Sequence, residues 1–225
     1  MEQHHFDIVN HATPRLESMD KALGRGKYTD DLELPNMAYA ALMRCQYSHA
    51  KVLSIDVSEA EKVPGYLGCA LPEEAPQAYF NCSGNPPSPL LMADEKVLTT
   101  EPLTIGDRVA VVAAETEEAA RAAAEAVKVE YENLAPILDV KAALADNAPA
   151  MQPHLSDTNV VQRREVSQGD IAVGEEKSDI ILEDHFVTPP MQHTMIELTC
   201  CICDFSDGEH MTIYSCSQTV FQERR

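Results

Sequence analysis

Positive charge is scarce in this chain. Its 225 residues carry 17 Lys and Arg against 37 Asp and Glu, a formal net charge of −20. Such a surface repels nucleic-acid phosphates and anionic lipid headgroups, so neither nucleic acid nor a membrane is expected as a partner. Long apolar runs are missing as well, since no stretch approaches the roughly 18 residues that a membrane-crossing helix needs. The first residues, Met1-Glu2-Gln3-His4-His5-Phe6-Asp7, lack the basic and apolar regions of a secretory signal. A regular disulfide framework is also lacking. The seven cysteines, at 45, 69, 82, 200, 201, 203 and 216, are odd in number and fall mostly in strand-like runs. Reduced thiols in a cytoplasmic protein are the expectation. What is present suffices for a core: 44% of the residues are hydrophobic, and the length fits one large domain or two small ones.

The stretch from Thr104 to Asp139 organises the rest. Val109 to Ala113 is a short, nearly continuous apolar run, which predicts a strand covered on both faces. Thr116 offers a hydroxyl to cap a helix, and Glu117 and Glu118 place negative charge at its positive end. The alanines at 119, 120, 122, 123, 124 and 126 favour that helix and let it lie close to a sheet. From Val127 the period becomes two: Val127, Val129 and Tyr131 alternate with Lys128, Glu130 and Glu132, as in a strand with one wet face. Pro136 ends the unit.

The order of residues here says more than the periodicity. Ile105-Gly106-Asp107-Arg108-Val109-Ala110-Val111-Val112, then Glu115-Thr116-Glu117-Glu118-Ala119-Ala120-Arg121 and Val129-Glu130-Tyr131-Glu132, closely resembles the molybdenum hydroxylase large subunit of the xanthine dehydrogenase and aldehyde oxidase family. In that family this segment closes a small a/b hammerhead domain. Earlier strings resemble it too: Met19 to Asp31, which opens the domain, and Ser48-His49-Ala50-Lys51 with the later Ile-Asp, Ala-Glu and Pro-Gly pairs. The resemblance extends over nearly the whole chain.

Other elements are marked by turn residues and alternation. A short strand is expected around Lys27 and Tyr28, and Gly24-Arg25-Gly26 lacks the third glycine and the preceding strand of a phosphate loop. Met37 to Arg44 and Val52 to Val57 predict strands, separated by a turn in which His49 is structural or solvated. Ser58 and Glu61 fit a capping box, Pro64-Gly65 stops that short helix, and Tyr66 to Leu71 predicts a strand. Pro72 to Pro89, with five prolines, is a loop, and Leu90 to Leu98 leads back from it. Residues 139–159 read as a linker with a short helix at Val140 to Leu144. A strand is expected within Asn159 to Gly169, with Arg163-Arg164 turned to solvent. A short helix from Ile171 and a strand over Ser178 to Val187 come next.

Chemistry could sit in the last third. Phe186-Val187-Thr188-Pro189-Pro190-Met191-Gln192-His193-Thr194-Met195-Ile196-Glu197 is followed by two strands joined at Ser206-Asp207-Gly208, a hairpin ending in Ser215-Cys216-Ser217-Gln218. His193 and Glu197 stand four apart, but no Glu follows His193 and no second His completes a zinc helix. Cys200, Cys201 and Cys203 could hold a soft metal. In a strand, however, only Cys201 and Cys203 share a face, and an iron–sulfur spacing is missing, so buried small hydrophobes and no bound metal are expected.

Beside the family, this block resembles the entry into the molybdenum-cofactor-binding part. Cys216 departs from the small residue common at its position. The resemblance gives Gln218 a role in cofactor binding, as an amide that donates toward the molybdenum centre or contacts the pterin without titrating. The family's Gly-Gly-Phe-Gly loop and its glutamate base occur nowhere in these 225 residues. No catalytic residue and no metal ligand are therefore assigned.

The expected architecture is α+β: a lead-in over 1–19, a hammerhead domain over 20–138, the linker, and the beginning of a molybdenum-cofactor-binding domain over 160–225. The implied function is that of the N-terminal part of a molybdenum-binding subunit of an oxidoreductase. The enzyme would hydroxylate a purine-like heterocycle or an aldehyde with water as oxygen source. Molybdopterin would be its cofactor, with iron–sulfur and FAD groups on other domains or subunits. Those parts, the remaining molybdenum-binding region and a further copy of the chain are the implied partners. The isolated chain is expected to bind no cofactor and to be inactive. The alternative is a non-catalytic assembly or docking module, and a redox thiol protein resting on the cysteines is weaker.

Overall fold

The computed structural model describes residues 7–9, 11–81 and 92–218. The start of the lead-in, Cys82 with the proline-rich stretch as far as residue 91, and residues 219–225 lie outside the described residues. The chain divides into two compact units. One contains Asn36–Phe186, the other the described residues of Met1–Pro35 and Val187–Val220.

The larger unit is built around the strand that its apolar run announces. β1 (Tyr39–Arg44), β2 (Ala50–Asp56), β3 (Tyr66–Ala70), β4 (Arg108–Ala114), α2 (Glu117–Ala126) and β5 (Lys128–Asn133) succeed one another, after a single-turn α1 (Ser18–Ala22) in the other unit. β4 runs down the middle of a three-stranded sheet in the order β1-β4-β3, antiparallel to both neighbours. β5 pairs instead with β2, antiparallel, in a second sheet. The strand–helix–strand unit is therefore split between two sheets, with α2 passing from one to the other.

Thr116 caps α2 as its position suggests: its hydroxyl oxygen accepts the Ala119 N–H at 3.1 Å. The small alanine side chains let the helix approach closely. Val112 of β4 packs with Ala123 and Ala124 of α2, with Ala60 and with Val127, and Met43, Ile55 and Val129 close that cluster from both sheets. A second cluster, Cys45, Ala50 and Val109, is sealed by Val52 and Tyr131. The face of β4 away from this core is only half covered. Val111 and Ala113 are partly exposed, and Leu42, opposite Val111, is exposed. The expectation of a strand covered on both faces holds in full for the face of Ala110, Val112 and Ala114, on which α2 packs, and on the other face for Val109 but only in part for Val111 and Ala113.

Tight turns hold the strands in register. Gly65, at φ +84°, turns the chain into β3 while its carbonyl accepts the Glu115 N–H at 2.8 Å. His49 is structural: its Nδ1 lies 2.8 Å from the Ala135 carbonyl, pinning the exit of β5. Ser58 makes no capping box. The Asp56 carboxylate takes the Ser58 N–H at 2.9 Å instead, and a 3-10 turn at Ala60–Lys62 forms without a side-chain cap.

Three predicted strands are absent among the described residues. Lys27 and Tyr28 lead into a 3-10 turn at Thr29–Asp31. Residues 160–169 and 178–187 are irregular, although α3 (Val140–Ala143) and α4 (Ile171–Glu176) form where expected, capped by Asp139 and Asp170. A strand needs a neighbouring edge to bond, and these segments find none among the described residues. Leu182 is 89% exposed and Phe186 is 84% exposed as a result.

Candidate functional site

The last third does form the predicted hairpin. β6 (Cys201–Asp204) runs antiparallel to β7 (Thr212–Ser215), with Cys201 opposite Ser215 and Asp204 opposite Thr212. Its loop is tied by carboxylates. Asp204 Oδ1 accepts the Ser206 N–H at 2.9 Å, and Asp207 Oδ1 accepts those of Glu209 and His210 at 2.9 and 2.8 Å. The backbone N–H of His210 contributes most to holding the Asp207 carboxyl below the usual carboxylate range. Gly208, at φ +74°, makes the turn itself.

Gln218 lies just past β7, in a bend, and is exposed, whereas Cys216 and Ser217 before it are half-buried. From Met211 to Gln218 there is no charged residue, in a chain with a net charge of −20. This end of the hairpin thus offers an amide donor on an uncharged stretch of chain, with Asp30 and Glu197 close enough to Cys200 to act on its thiol. That donor chemistry fits a phosphate-bearing pterin cofactor.

The other candidates are not brought together. His193 and its neighbours are exposed and irregular, and Thr194 has φ +51°, a backbone state a β-branched residue rarely takes. No helix forms there, so His193 and Glu197 do not share a helical face. Cys201 and Cys203 do share a face of β6, but that face is exposed. The expectation of buried small hydrophobes fails for these two, which both stay exposed on the short ribbon. Cys200, by contrast, is half-buried and held protonated, first by burial and then by Asp30. Among the described residues no group of three or more His, Cys, Asp or Glu side chains is placed to hold a metal ion. No described helix is long and apolar enough to cross a membrane.

The Ile105-Gly106-Asp107-Arg108 motif is a structural clamp. The Asp107 carboxylate accepts the N–H groups of Leu103 and Thr104 at 2.7 and 3.1 Å, and Gly106 turns at φ +97°. Arg108 donates to Val97 and Lys96 carbonyls and pairs with Glu95 at 2.8 Å. Beside it opens a cleft of about 340 Å³ lined by Tyr79, Glu95, Lys96, Thr99, Arg108 and His154 among others. The His154 ring stacks on Tyr79 at 3.7 Å and reaches the Ala93 carbonyl. No local sequence signal announces this cleft, whose walls come from positions up to 75 apart, Tyr79 to His154.

Known proteins share both halves of this layout. Residues 23–135 match the profile described as "Aldehyde oxidase and xanthine dehydrogenase, a/b hammerhead domain", and residues 153–225 match "Molybdopterin cofactor-binding domain". The chain is 27% identical to the nicotinate dehydrogenase large molybdopterin subunit of Eubacterium barkeri, over 97% of this chain and 49% of that protein. It is 30% identical to the xanthine dehydrogenase/oxidase of Gallus gallus, over 96% of this chain and 15% of that protein. Among solved structures, the aldehyde oxidoreductase of Desulfovibrio gigas superposes with a TM-score of 0.78 at 28% identity. That match covers 90% of this chain and 23% of the other. The chain thus spans half or less of the length of each.

Proposed function

Because the chain belongs to the aldehyde oxidase and xanthine dehydrogenase family by its a/b hammerhead domain, we propose that it works as part of the molybdenum-binding subunit of a hydroxylating oxidoreductase. Residues 20–138 serve as the hammerhead, 139–159 as a linker, and 160–225 as the first part of the cofactor-binding domain. The substrate class is an N-heterocycle or an aldehyde, in keeping with the nicotinate, xanthine and aldehyde for which the relatives are named. The iron–sulfur and flavin groups of the electron-transfer chain sit on other domains or subunits.

The observation that carries this reading is the uncharged strand end at Gln218, within the segment that matches a molybdopterin-binding domain. When bound, the cofactor supplies a two-electron oxidation that uses water as the oxygen source. Gln218 supplies a fixed hydrogen-bond donor toward it. An amide keeps this role at every working pH, since it does not titrate. The hairpin contributes stiffness: four paired positions and the carboxylate-tied loop set where the strand ends. The exposed apolar side chains around it, such as Ile196 at 98% and Met191 at 82%, support a segment suited to being covered by further protein.

The test is Gln218→Ala in the molybdenum-loaded enzyme. Folding should be unaffected, because an exposed amide contributes little to the core. Turnover should fall by about ten- to a thousand-fold, as when one preorganised donor near developing charge is removed. Unchanged turnover at full molybdenum occupancy would sink the role. Loss of molybdenum would move it from catalysis to cofactor retention.

A further inference from the structure

The register of the hairpin, continued one step past its last paired residues, sets two cysteines opposite each other. Cys201 opposes Ser215, so the next opposed pair outward along the antiparallel ladder is Cys200 with Cys216. Directly opposed residues lie on the same face with Cβ atoms about 4.5–5.5 Å apart. Disulfides span about 3.5–4.5 Å between Cβ atoms, so only a small approach is needed. The Cys216 side chain already leans across: its thiol points to the Leu198 carbonyl at 3.4 Å and the Cys200 carbonyl at 3.9 Å. Of the three clustered thiols, Cys200 is the one that the continued register sets opposite a cysteine, since Cys201 faces Ser215 and Cys203 faces Ile213. Cys200 and Cys216 are both half-buried, on the opposite side of the ribbon from exposed Cys201 and Cys203.

We propose that Cys200 and Cys216 form a reversible cross-strand disulfide that closes the β6–β7 hairpin, with a small-molecule disulfide such as oxidised glutathione as the oxidant. The Cys216 thiolate attacks one sulfur of the oxidant. The oxidant's S–S bond breaks, one glutathione thiolate leaves with the electron pair, and a mixed disulfide stays on Cys216. The Cys200 thiolate then attacks the Cys216 sulfur and expels the second glutathione. The two protons given up by the protein thiols end on the two released glutathiones. The protein pair loses two electrons and the oxidant gains them. Burial, Asp30 and neighbouring thiols keep Cys200 protonated, so closure is slow near neutrality and faster as pH rises. The pair lies just before Gln218 and limits fraying of that strand end, but the cross-link does not depend on any role for Gln218.

The experiment treats the 225-residue chain with oxidised glutathione at mildly alkaline pH and alkylates the remaining thiols. Cleavage before Asp204 and Asp207 then separates Cys216 from the other three, and the unreduced peptides are sequenced by mass spectrometry. The expected result is a cross-linked pair lighter by two hydrogens, joined through Cys200 and Cys216 and reopened by dithiothreitol. The link should persist in a Cys201→Ser, Cys203→Ser double variant and vanish in Cys200→Ser. If Cys200→Ser fails to fold, Cys216→Ser carries the same expectation. A link from Cys216 to Cys201 or Cys203, or glutathione adducts without any cross-link, would overturn the proposal.

Discussion

Tyr131 shows how the core writes itself into a single ionisable group. Its hydroxyl is half-buried against the Met43 sulfur, with Cys45 and Tyr47 beside it. Burial is the main cause, and the adjacent Cys45 the next, of a hydroxyl held well above the usual tyrosine range. The native state therefore keeps a proton that the unfolded chain releases near pH ~10. The resulting stability is fully present below that pH and is lost as pH rises toward the native value. Thermal midpoints measured from pH 8 upward should fall in the alkaline range, and Tyr131→Phe should flatten that fall. An alkaline limb identical in the two proteins would show that Tyr131 ionises as in the unfolded chain.

At the scale of elements, neighbouring valines on β4 have opposite surroundings. Val112 is fully buried against α2, while Val111 points to the half-open face of the sheet. Val112→Asp should abolish cooperative unfolding, because an unpaired buried carboxylate costs several kcal/mol. Val111→Asp should lower stability by only about 1 kcal/mol, as at a partly solvated position. Equal effects in a denaturant titration would contradict the packing described. The apolar run made β4 legible, but not which face would be sealed, since that depends on one helix and a distant strand pairing.

The cap was read at Thr116, where a short polar side chain stood at the helix start without competition, while Asp139 and Asp170 cap their helices without having been read as caps. Ser58 failed because Asp56 reached its N–H first. The hairpin was legible from Asp207-Gly208, which suits a turn at positive φ on its own. The runs at 160–169 and 178–187 have strand composition but no edge to pair with among the described residues, and composition cannot supply one. The cleft at Tyr79 and His154 was invisible, being assembled from segments with no shared pattern.

Across the whole molecule, order is concentrated in the β1–β5 and α2 core, and apolar exposure in the residues after β5. Arg163 and Arg164 lie in an exposed irregular segment, whereas Arg108 is anchored by Glu95 and two carbonyls. Limited trypsin digestion of the isolated chain should cut first at Arg163-Arg164 and spare Arg108, because cleavage follows local opening. Early cleavage at Arg108 would place the weak point in the core instead.

Whether this chain forms one wall of a molybdenum-cofactor site in a hydroxylating enzyme is tested most directly on the protein in its native form. That protein is purified, its molybdenum is measured against the chain, and it is offered an aldehyde or N-heterocycle in water enriched in oxygen-18. Stoichiometric molybdenum and a labelled product are the predicted result. An enzyme without molybdenum, or a product whose new oxygen comes from dioxygen, would contradict it.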